Sequence, residues 1–197
     1  MGIETTILAA LMGLSLASAS GFRVFLPPFI LSLAVRTDTF VNLDLSGTEF
    51  AAFDSNAAVI VLGIACLAEF GAYYVPWLDN LLDTIATPAA VISGVSMTSM
   101  ALVGSDPIIQ WSFAIIAGGG SAGIIQVTTV AIRGLSSTLT LGFGNSFVAS
   151  GENIASIILT IAALIAPLIA AIFAVILVAL LIRQSIKITE NKSVQGS

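Results

Sequence analysis

Long apolar runs separated by a few polar interruptions define this chain. The first run, residues 5–35, is interrupted by Ser18-Ala-Ser-Gly-Phe-Arg-Val-Phe-Leu-Pro-Pro28, so it predicts one broken crossing or two half-helices. A polar loop at 37–54 follows, carrying Asp38, Asp44, Glu49 and Asp54, and then a second helix over 55–73 with Glu69 near its end. Residues 77–85 change character: apolar positions 77, 78, 81, 82 and 85 against polar 79, 80, 83 and 84 draw an amphipathic helix at the membrane interface. Thr87-Pro88 and Asp106-Pro107 each read as a cap followed by a first-turn proline, opening spans over 88–103 and 107–132. The polar stretch 134–151 leads to Glu152-Asn153 and a last run to residue 182, interrupted by Pro167, before a tail with Arg183, Lys187 and Lys192.

Part of this pattern recurs. Setting Gly21 on Gly118, an offset of 97, also places Ser15 on Ser112, Arg36 on Arg133, Gly47 on Gly144, Phe50 on Phe147 and Asn56 on Asn153. The reading is a single membrane domain over 1–197 made of two halves, about 7–103 and 104–183, with a polar tail at 184–197. A span takes about 20 residues, which gives an all-α polytopic transmembrane bundle of five to six segments with interrupted helices. Five spans put the N-terminus outside and the acidic loop inside. Six put the N-terminus inside and the loop outside, with three segments per half and an inverted repeat; the six-segment form is preferred.

Composition agrees with the pattern. The chain is 57% hydrophobic and only 9% charged, with a mean hydropathy of +1.09, against roughly a quarter charged in soluble domains. A net charge of −5 argues against nucleic acid as a partner. Cys66 is alone, so no disulfide forms within the chain, and the absence of histidine removes the commonest metal ligand and proton shuttle. Glu4 stands where a signal peptide would be basic, so the first helix is expected to be retained. Gly118-Gly-Gly-Ser-Ala-Gly123 lacks the lysine of a phosphate-binding loop and reads instead as a close-packing or unwound helix segment.

Ser20-Gly-Phe-Arg-Val-Phe-Leu-Pro27, Glu69 before Pro76-Trp-Leu-Asp79, Asp83 before Pro88, and Arg133 before Gly142-Phe-Gly-Asn145 carry a resemblance. On these residues the chain resembles the small bacterial membrane proteins grouped as domain of unknown function 4126. The resemblance spans nearly the whole chain except the tail after Arg183, and the acidic loop finds no counterpart in it. It implies a multi-pass inner-membrane protein and transfers no catalytic role.

Ionisable residues inside a bilayer are costly, about 2.5–3.5 kcal/mol near its centre, so they are paired or face a cavity. Arg23 and Glu69 are therefore the leading candidates, joined by Asp79 and Asp83, in a polar site between the halves. Arg23 would bind an anionic group or hold Glu69 as counter-ion, and backbone exposed at the break near Gly21 would add contacts. Gly118, Gln126, Arg133 and Asn145 complete the candidate substrate-binding set. Against this stands a structural reading in which Arg23 makes an ion pair, Asp79 and Asp83 form a wet helix face, and Asn145 and Glu152-Asn153 serve as turn and cap. No metal site, cofactor or enzymatic activity is expected. The function favoured is a small transporter or channel for an ion or small anionic solute, in contact with membrane lipids, with a non-transporting scaffold as the alternative and a homo-oligomer left open.

Overall fold

The computed structural model describes residues 2–72, 74–140 and 143–195, with the side chains of 76–83 and 184–195 left aside. The described residues form helices and no strands: α1 Ile3–Ser20, α2 Leu26–Arg36, α3 Asn56–Ala72, α4 Pro76–Ala101, α5 Pro107–Phe113, a π-helical segment Ala114–Gly119, α6 Gly120–Thr140, α7 Asn145–Ile165 and α8 Pro167–Gln195. Four helical stretches among them are long and apolar enough to cross a membrane: Ile3–Ser20, Thr84–Ala101, Pro107–Thr140 and Asn145–Ile165.

Their faces are sorted for lipid. On α7 the buried positions include Asn145, Glu152, Asn153, Ser156 and Thr160, while Ile154, Ile158, Ile161 and Ile165 are exposed. On α6, Gln126, Thr129 and Arg133 are buried and Val127, Leu135 and Leu139 are exposed. In water this arrangement would be inside out. Next to hydrocarbon it is the favourable one, because polar side chains find partners only inside the bundle.

The first apolar run forms two helices that fold back on each other. α1 ends at Ser20, and the amides of Gly21, Phe22 and Arg23 are taken up by the carbonyls of Ala17, Ser18 and Ala19. α2 then starts with Pro27 and Pro28 in its first turn, where a fixed φ suits the helix and the missing N–H would have had no partner. The direction of α2 follows from its neighbour α7. Arg23 meets Ala149 and Asn153, Ser156 donates to the Ala19 carbonyl, and residues 30–40 at the far end of α2 line a cavity with Ile161 and Leu164. α2 therefore runs beside α7 and back along α1, with residues 21–25 at the tip.

α3 retraces α2, from Arg36–Asn56 at one end through Phe29 beside Gly63 to Glu69 at the tip. α4 runs antiparallel to α1, joined by Ser93 to Val24 (2.9 Å) and Thr98 to Gly13 (3.1 Å). α5, the π segment and α6 make a continuous rod of 34 residues, about 51 Å at 1.5 Å per residue. That rod packs on α4 through glycine: a Cβ on Gly94 would stand 2.6 Å from Ala122 Cβ, and one on Gly118 would collide with Thr98 Oγ1. The chain reverses at Ala166, and α8 returns along α1, its residues 174–182 beside Leu14 and Ser18. Met12, Leu16, Leu31, Met97, Met100 and Leu159 form the centre of the apolar core.

Several expectations are corrected. The N-terminus and the acidic loop lie at the same end of the bundle, because the tip lets the chain reverse; both topologies drawn from the sequence put them on opposite sides. No boundary falls at Thr87-Pro88: α4 runs through Pro88, held on either side by buried Ala86 and Ala90. Of the amphipathic face expected over 77–85, residues 77–83 lie outside the described side chains, and Thr84 and Ile85 are both exposed. α7 begins at Asn145, so Glu152 and Asn153 sit two turns inside it and do not open it. Ala166 and Pro167 split the last run into α7 and α8.

Candidate functional site

Arg23 is wholly buried at the hairpin tip, and α7 supplies its partners. Its Nη1 pairs with Glu152 Oε2 at 3.0 Å, its Nη2 donates to the Ala149 carbonyl at 2.9 Å, and its Nε donates to Asn153 Oδ1. Residues 149, 152 and 153 share one helix face, so a single guanidinium engages two turns of α7. From the other side, Arg133 Nη1 on α6 reaches the same Glu152 oxygen at 3.4 Å. Arg133 is 1% and Glu152 5% exposed. One carboxylate is thus shared between two buried guanidiniums that come from different elements.

Glu69 has a different task. Its Oε1 accepts from Val24 N at 2.7 Å and its Oε2 from Phe25 N at 3.0 Å. These amides lie at the start of α2, where the helix dipole also favours a negative group. With Glu69 in place, every backbone N–H from Gly21 to Phe25 has an acceptor. The expectation of exposed backbone at the break is therefore overturned, because non-helical chain inside a membrane bundle must be satisfied by protein. The expected Arg23–Glu69 pair is replaced by Arg23–Glu152, although Glu69 still feels the charge of both Arg23 and Arg133.

The other predicted positions divide. Gly21 is at the tip because a Cβ there would lie 2.7 Å from both the Ala122 carbonyl and Ile125 Cβ. Gly118 is a packing residue against α4. Gln126 is 1% exposed and shares a helical stripe with Ala122, Thr129 and Arg133, facing the tip. Asn145 lies at the start of α7, one turn before Ala149, and donates through Nδ2 to Ser137 Oγ at 2.8 Å. Asp79 and Asp83 are on α4, but their side chains lie outside the described residues.

Sequence reasoning missed Glu152 and Asn153 as site residues, having read them as caps. Their signal was a polar pair at i, i+1 with Ala149 and Ser156 on the same stripe, which marks an inward face of a lipid-exposed helix. Of the two cavities described, one of about 310 Å³ lies between α2 and α7, and one of about 340 Å³ lies between α1, α6 and α8. Arg23 lines neither of them.

No curated protein and no solved structure matches this chain. A family model does, over residues 10–187, so the match includes the acidic loop as well as the tip, Glu69 and the Arg133–Glu152 pair. The chain belongs to the family described as Domain of unknown function (DUF4126).

Proposed function

We propose that this protein is a multi-pass inner-membrane transporter or channel for an ion or small anionic solute, working at the Arg23–Glu152–Arg133 centre. The observation that carries the reading is the carboxylate of Glu152 held between two buried guanidiniums. Among the described residues Glu69 is committed to the tip amides, and Glu152 is the carboxylate that the two guanidiniums share. An incoming anion gains by exchanging with the Glu152 carboxylate, since it finds donors already oriented and desolvated. Glu152 then acts as a tethered surrogate that holds the site when solute is absent.

A duplicated origin belongs to the same reading. At the offset of 97, the π segment Ala114–Gly119 falls on residues 17–22, so both halves depart from the regular α-helix at related positions. The alternation of access would come from movement of the α1–α2 hairpin against α6 and α7.

The test is flux in vesicles of pure phospholipid holding the purified chain. Wild type should pass small anions, and Arg133→Gln should abolish that flux while keeping the helical signal of the folded protein. A non-transporting scaffold is the second reading, favoured by the complete satisfaction of the tip amides; absence of flux of any ion in wild-type vesicles would select it.

A further inference from the structure

We propose that the cavity between α1, α6 and α8 binds a neutral, bilayer-dissolved molecule of quinone type, which takes a hydrogen bond from Ser18 through a carbonyl oxygen. The site is separate from the charged centre, since Arg23, Arg133 and Glu152 do not line it, and it does not depend on the transport reading.

Ser18 is the first observation. A serine inside a helix has a ready acceptor in the carbonyl four residues back. Its neighbours on α1 use that acceptor: Ser15 donates to the Leu11 carbonyl at 2.8 Å and Ser20 to the Leu16 carbonyl at 3.0 Å. Ser18 does not. It is 0% exposed, it lines the cavity, and its Oγ has no hydrogen-bond partner among the described residues. A buried hydroxyl left in that condition is costly, so an acceptor brought by an occupant is called for.

The cavity itself is the second observation. At about 340 Å³ it has the size of a small-molecule site, and it lies between bundle helices, where such sites are built. Ile116 and Ala117 of the π-helical segment form part of its wall, and departures of that kind recur at functional sites. Gly120 follows on the same wall, and a Cβ there would meet nothing within 4 Å. Ile116 and Val175 line the cavity and are themselves exposed, so a ligand enters from the lipid.

The lining narrows the chemistry of the occupant. Among the described residues no charged side chain lines the cavity, so a phosphate or ammonium headgroup finds no counter-charge. An acyl chain suits the apolar walls but brings no acceptor for Ser18. The other hydroxyl in the lining, that of Ser121, already donates to the Gly118 carbonyl at 3.1 Å. A neutral molecule with an apolar body and a carbonyl oxygen meets both demands.

The experiment titrates the full chain in detergent with decylbenzoquinone and, in parallel, with decylbenzene, which keeps the ring and tail but has no oxygen. The quinone should raise the thermal midpoint of wild type and bind about fivefold more tightly than decylbenzene, the scale of one neutral hydrogen bond. Its carbonyl stretching band should move to lower frequency than in the same detergent without protein. Ser18→Ala should remove that fivefold advantage and return the band to its free position, with decylbenzene unchanged. Gly120→Leu, which fills the cavity, should abolish binding of both compounds. Equal binding of the two by wild type would overturn the proposal without recourse to any variant. A shifted band that persists in Ser18→Ala, or quinone binding that survives Gly120→Leu, would overturn it as well.

Discussion

Arg36 and Arg133 stand 97 positions apart, and each reaches a residue about one loop further on: Arg36 to Asn56, 20 residues away, and Arg133 to Glu152, 19 residues away. The environments differ completely. Arg36 and its acidic neighbour Asp54 are 47% and 45% exposed with 4.0 Å between them, while Arg133 and Glu152 are 1% and 5% exposed. The same spacing therefore yields a solvated tether at one end of the bundle and a desolvated charge centre inside it. Burial decides which arginine matters, because water screens the first pair and leaves the second dependent on its partner.

That contrast is broken most severely at Glu152. Glu152→Ala leaves two buried guanidiniums without their shared carboxylate, and a loss of about 3–5 kcal/mol is expected, read as a drop in the thermal midpoint in detergent. Glu69→Gln comes next. It replaces one acceptor by a donor facing an amide and removes a charge from a helix N-terminus, for a loss of about 1.5–3 kcal/mol. Faster hydrogen exchange at Val24 and Phe25, with other sites unchanged, would confirm that Glu69 acts through the tip. Gly118→Ala should cost about 1–3 kcal/mol through overpacking against Thr98 and Gly94, and a shift smaller than that of Gly120→Ala, whose Cβ meets nothing within 4 Å, would refute the seam. Arg36→Ala should change stability by about 0–1 kcal/mol. If it proves as damaging as Glu152→Ala, the comparison between the two arginines fails.

The same two arginines show what the sequence could reveal. Spans, the interruption at Gly21 and the need of Arg23 and Glu69 for partners inside the bundle were legible, because long apolar runs have one main use and a charge inside them demands a partner. The identity of the partners was hidden. Glu152 and Asn153 lie some 130 residues from Arg23, and as a polar pair after a polar stretch they resemble the start of a helix. The reversal of α2 was equally hidden, since it depends on Glu69 binding amides 44 and 45 residues upstream. Pro88 misled for a related reason: its local tendency to begin a helix was overridden by packing on both sides. The offset of 97 sets a folded hairpin against a rod, so matching residues at that spacing do not bring matching shapes.

The long reach of the Arg23 contacts also has a consequence for how the protein is made. Ala149 and Asn153 lie 126 and 130 residues after Arg23. At about 5–20 residues per second, a ribosome needs on the order of ten seconds to deliver them. For that interval the newborn hairpin carries Arg23 without its α7 contacts, and the tip takes its final form only when α7 arrives.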